Sequence, residues 1–174
     1  MSSAFLLFGA GAAFMGRVGE VFIGCESLRS EIPMLACASA LAGAGLLLTA
    51  ASRMGAPWDP VSGLHVALMG GLGLADYAVF CVVGRLHTGR SLGLGRTEHL
   101  GAITLVLAVG LRVGPGFGWL PPGPIHGLST IFWAGAFLPW AIVSWGPFTR
   151  IEKAAAGPVG ATSESAQTLP AAAE

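Results

Sequence analysis

Charge is what this sequence has least of. Asp, Glu, Lys and Arg together make up 10% of its 174 residues, against about a quarter in a typical soluble domain. That shortage, with a mean hydropathy of +0.72, excludes an ordinary water-soluble globule and makes the chain an integral membrane protein. Nine basic residues balance nine acidic ones, and no basic tract of the kind nucleic acid requires is present. Cysteine is scarce too. Cys25, Cys37 and Cys81 form no CxxC or CxxCH pair, which excludes a zinc ribbon, a c-type haem attachment and a disulfide framework, and leaves them as small buried residues. A P-loop, an HExxH helix, a hydrolase elbow and a dinucleotide fingerprint are all missing. Gly9-Ala10-Gly11 lies in a hydrophobic run with no strand before it, so these are packing glycines. No residue set places a nucleophile beside a base, and no catalysis is expected. The first residues lack the positively charged start of a secretory signal, so they read as the beginning of a retained first helix.

What the chain does have is long apolar runs. Their lengths predict an all-α, polytopic membrane helical bundle of about five transmembrane helices, over 4–24, 32–52, 62–84, 99–113 and 125–145. They form one domain, 1–150. A low-complexity tail over 151–174 is expected to be disordered and cytoplasmic. The 27 glycines sit among Leu, Val and Ala, where small residues let helix backbones approach in lipid. The patch at 42–45 and the pair Gly110/Gly114 are the clearest such faces. In the first segment Arg17 and Glu20 are three apart and can pair, with Arg17 close enough to the end to snorkel. That segment either spans or lies in the interface. Pro139 should kink the fifth segment. Five spans put Arg17, Arg29, Arg85, Arg90, Arg96, Arg150 and Lys153 on one side, and Arg53 and Arg112 on the other. This imbalance predicts a cytoplasmic carboxyl terminus and an amino terminus outside, with Trp58 and Trp119 at the outer interface and Trp145 at the inner one.

The third segment carries the candidate chemistry. His65, Met69 and Asp76 stand at offsets of four and eleven, which puts them on one stripe of a helix with about 3.6 residues per turn. Gly70, Gly71 and Gly73 strip bulk from beside it. An imidazole and a thioether one turn apart suit haem iron or Cu(I). Arg112, brought to the same level, could pair with a haem propionate or with Asp76. The plainer alternative is interhelical hydrogen bonding by His65 and Asp76. A carboxylate at Asp76, near mid-membrane, must be paired, protonated or lining water. A proton relay, support for a metal ligand, and a salt bridge to Arg112 or Arg17 all fit it. Tyr77 points about 100° away around the helix. His126 starts its helix at the same end as His65, whereas His87 and His99 lie at the other end, so there are two polar layers. The basic stretch from Arg85 through Arg90 to His99 suits an anionic headgroup, a quinone or a haem propionate. A basic cytoplasmic loop would look the same.

The run LHVALMGGLGLADYAVFCVVGRLHTGRSL, then AITLVLAVGLRVG and LSTIFWAGAFLPWAIVSWGPFTR, resembles the carboxyl-terminal region of the NnrS family. The match covers 31–150. It rests on His65, on Arg85, His87, Thr88, Gly89 and Arg90, and on Leu111-Arg112-Val113. The resemblance implies a bacterial inner-membrane protein that binds haem b, copper or both and is linked to nitric oxide or respiratory metabolism. His65, Met69, His87, Arg90 and Arg112 would hold the cofactor, and His65, His87 and His99 would be metal ligands. Leu86 stands where the family has Gly, and Asp76 where it is mostly apolar. Less than half the usual length is present, so the resemblance also implies self-association or a second membrane subunit supplying the rest. The alternative function is a small, cofactor-free accessory subunit of a larger membrane complex.

Overall fold

The computed structural model describes residues 2–21, 23 and 31–155. Cys25, Arg29 and the tail beyond residue 155 lie outside them. Among the described residues every regular element is helical: α1 (Ser2–Glu20), α2 (Glu31–Arg53), α3 (Pro60–His65), a π-helical segment (Val66–Leu72), α4 (Gly73–His87), α5 (Arg96–Val113), a 3₁₀ turn (Gly114–Phe117) and α6 (Pro124–Ala155). Four stretches are long and apolar enough to cross a membrane: Glu31–Arg53, Pro60–His87, Arg96–Phe117 and Pro124–Ile142. The chain is therefore an all-α bundle of membrane-span-like helices. Its outward faces carry large apolar residues such as Leu6, Ile131 and Ile142, the surface that hydrocarbon accepts and water does not.

α1 runs antiparallel to α2. Ser3 accepts a hydrogen bond from Arg53 at the far end of α2 (3.3 Å), and Gly11 crosses Gly43 so closely that a Cβ on either would sit about 3 Å from the other's carbonyl oxygen. Farther on, Phe14 and Arg17 share a groove with Leu35 and Ser39. α1 is thus laid along its neighbour, although among the described residues it is not one of the four stretches long and apolar enough to cross a membrane. Among the described residues Arg17 and Glu20 make no ion pair, although their spacing allows one.

α2 also packs on the third span through bare backbone. A Cβ on Gly45 would lie 2.3 Å from the Ala67 nitrogen, one on Gly63 2.4 Å from the Thr49 hydroxyl, and one on Gly71 2.6 Å from Ala42. The 42–45 patch is thus a packing face. The Gly110/Gly114 pair is not: Gly110 meets nothing within 4 Å, and Gly114 takes only the side chain of Leu120. Beyond the third span, α5 and α6 close the bundle. Ser129 donates to the Ala108 carbonyl (2.7 Å), Trp140 donates to the Phe80 carbonyl (2.9 Å), and Phe137 meets both Tyr77 and Trp133 edge-on. Leu74, Tyr77, Cys81, Leu105 and Ala136 are fully buried between these helices.

Two helices outrun their hydropathy. α5 begins at Arg96, three residues before the expected start, because Glu98 turns its carboxylate back onto the chain and neutralises the start of the helix. α6 continues through Pro139 to Ala155 in one piece. The first residues of the expected tail are therefore helical.

Candidate functional site

The third span starts where Asp59 caps it, its Oδ1 accepting from the Val61 N–H (3.0 Å) with Pro60 at the first helical position. One turn on, His65 donates from Nδ1 to the Val61 carbonyl (2.9 Å). That bond fixes the tautomer and leaves the Nε2 lone pair free, and Nε2 accepts from Arg112 Nε of α5 at 3.2 Å. The two residues line a polar cavity of about 210 Å³ together with Asp59, Ser62 and His126. His126 Nδ1 is buried with no hydrogen-bond partner among the described residues. An imidazole lone pair, a guanidinium and a second, unsatisfied imidazole thus converge at one end of the bundle. Beside them, on Val66, Gly110, Val113 and Phe117, opens an apolar cavity of about 590 Å³. Its rim is aromatic: Trp58 donates to the Leu48 carbonyl (3.1 Å) and packs on Phe117, which stacks with Trp119.

Met69 and Asp76 do not join this site. The stripe drawn through His65, Met69 and Asp76 assumes uniform α winding. Residues 66–72 are π-helical instead, with Gly73 N–H bonding back five residues to Leu68. A π segment holds one surplus residue, which turns everything after it by roughly one residue step, about 100°. Met69 consequently packs on the apolar core. Asp76 faces outward, exposed, with no hydrogen bond or ion pair among the described residues. Arg112 is engaged with His65, so it does not neutralise Asp76.

The opposite end of the span is a closed device. Arg85 grips Glu98 with two parallel hydrogen bonds, Nε to Oε1 at 3.0 Å and Nη2 to Oε2 at 2.5 Å, the strongest geometry open to this pair. Glu98 is buried and also accepts from the Gly95 N–H, half of a capping box for α5. Tyr77 donates to the Glu98 carbonyl (3.1 Å), and Arg85 Nη1 reaches the Ser91 carbonyl (3.3 Å). The intervening His-Thr-Gly-Arg is a helix terminator. Thr88 donates to the Gly84 carbonyl (2.8 Å). Gly89 is left-handed at φ 65°. Gly89 N–H bonds Leu86 O and Arg90 N–H bonds Arg85 O, which is the Schellman pattern. Glu98 and Tyr77, the residues that organise this end, escaped the sequence reading. A Glu three residues into a helix was the one available signal.

His87 and His99 are exposed, each donating Nδ1 to the carbonyl four residues back. Arg90 is exposed on the same loop. His87 lies 22 residues beyond His65, roughly 33 Å along a helix at 1.5 Å per residue, so the two cannot bind one metal. Among the described residues no three of His, Cys, Asp and Glu come together in a metal-sized group.

No curated protein matches the chain, and neither does any solved structure. A family model described as NnrS protein matches residues 1–151, and so takes in α1, which the resemblance read from motifs had left out.

Proposed function

The chain belongs to the NnrS family, and from that premise we propose that it is a bacterial inner-membrane protein that holds haem at the His65 end of its third span and serves nitric-oxide or respiratory metabolism. The observation that carries this reading is the state of His65. Its Nδ1–H is tied to Val61, it lines a polar cavity, and among the described residues the only group on its Nε2 lone pair is Arg112. A haem needs one such nitrogen, and its propionates need a guanidinium. Arg112, now bonded to the imidazole, is the guanidinium that would hold a propionate. His126 contributes a second imidazole at the cavity wall. When bound, haem supplies an iron able to take a diatomic gas. Copper fits less well: a protein copper site takes several nitrogen or sulfur ligands, which the described residues do not bring together, so a second chain would have to complete it. His87, His99 and Arg90 are assigned to a separate, exposed layer.

In the membrane, the end bearing Arg85, Arg90 and Arg96 faces the cytoplasm by the positive-inside rule. The amino terminus is then outside and the carboxyl terminus inside. Reporter fusions at each terminus test this.

The deciding experiment is the visible spectrum of protein purified without partners from haem-supplied cells. A Soret band that is lost in His65→Ala and kept in His87→Ala supports the assignment. A colourless preparation overturns it. One observation favours a second reading, a cofactor-free accessory subunit: Arg112 already satisfies His65 without any ligand. That reading expects co-purifying membrane subunits and indifference to His65→Ala.

A further inference from the structure

Two opposite charges are stranded on one outward face, away from the site just described. A groove of about 470 Å³ runs between α1, α2 and the third span, with Ala38 and Ala42 on its floor and Phe14, Arg17, Leu72 and Ala75 on its walls. Asp76 does not line the groove but stands one helical turn beyond Leu72, which does. Both Arg17 and Asp76 are exposed, and neither has a hydrogen bond or ion pair among the described residues.

Their depths agree. α1 meets α2 at Gly11 against Gly43, and the third span meets it at Gly71 against Ala42. Both run antiparallel to α2 from these neighbouring levels. Six residues carry α1 to Arg17 and five carry the third span to Asp76, roughly 9 and 8 Å at the helical rise. α2 itself continues about 18 Å in that direction, to Glu31, so both charges stand about halfway out, at a depth where hydrocarbon penalises an unpaired ion.

We infer that a second copy of this chain covers this groove, with Arg17 of each copy paired to Asp76 of the other. A twofold axis along the membrane normal leaves depth unchanged. It therefore brings the cation of one copy level with the carboxylate of the other, twice per dimer, in the self-complementary contact that twofold symmetry requires. Phe14, exposed about one turn before Arg17 on the groove side of α1, adds apolar surface for the partner to cover. No single neutral helix would satisfy both charges.

The test uses the full chain with two different tags, co-expressed and reconstituted in nanodiscs. Wild-type copies co-purify. Arg17→Asp and Asp76→Arg, each expressed with itself, lose at least tenfold in co-purification. Arg17→Asp co-expressed with Asp76→Arg recovers it, because opposite charges again meet across the two copies. Recovery only when both changes lie in one chain would mean an intrachain pair and overturn the inference. So would a monomeric wild type, or co-purification indifferent to both reversals. Should the reversals fail to insert, cross-linking keeps the question decidable. With native cysteines replaced by Ser, Phe14→Cys in one tagged copy and Leu72→Cys in the other give a doubly tagged disulfide product, whose absence also overturns the pairing.

Discussion

At the Arg85 end of the third span a guanidinium grips a carboxylate, whereas at the Arg112 end the same group donates to a neutral imidazole. Glu98 is buried, and its oxygens are shared by Arg85 and the Gly95 N–H. Both carboxylate oxygens are thus engaged. Among the described residues His65 accepts a single bond from Arg112, and His126 Nδ1 beside it has none. A doubly bonded ion pair removed from water is costly to break, while one guanidinium bond to an uncharged acceptor is worth about 1.5 kcal/mol net. Two arginines at equivalent positions thus have different work. One locks a loop between two spans, and the other can let go.

The contrast is most severely tested by Glu98→Ala. It leaves the partly buried Arg85 with the Ser91 carbonyl alone among the described residues and strips the cap from α5, and should lower stability by about 3 kcal/mol, read as a drop in unfolding temperature in detergent. Arg112→Ala should cost about 1.5 kcal/mol in the same assay. Reversal of that order would erase the distinction. Gly89→Ala comes next. It places a Cβ on a left-handed residue at φ 65°, a cost of roughly 1–2 kcal/mol, whereas Gly110→Ala, in open space, should change little. On the proposed function, Arg112→Gln should weaken haem retention about tenfold, or 1.4 kcal/mol, in transfer to apomyoglobin, with stability nearly unchanged. The smallest effect belongs to Tyr77→Phe, which deletes one hydroxyl bond to the Glu98 carbonyl and should cost about 1 kcal/mol by chemical denaturation.

The helices were legible in the sequence because hydropathy and length decide which segments cross a bilayer. The common level of His65 and Arg112 was legible too, since the fourth segment must end where the third begins, but the partner expected for Arg112 was a propionate or Asp76 and not the imidazole. The pairing of Arg85 with Glu98 was hidden. Thirteen residues and a Gly-rich loop separate them, and a charged residue at a helix start reads as loop. Met69 and Asp76 were misplaced for a different reason. Hydrophobic periodicity assumes one winding, and seven residues of this span do not follow it.

The slack turn at Val66–Leu72 sets the rotational phase between the cavity below it and the locked loop above. Deleting a single residue from Val66–Leu72 would tighten the coil to ordinary pitch and still leave a span of full thickness. Its two halves would face new neighbours: Tyr77 would swing away from Glu98, or His65 from Arg112, according to which half stayed docked. Length changes in this stretch act as a dial and not as a truncation.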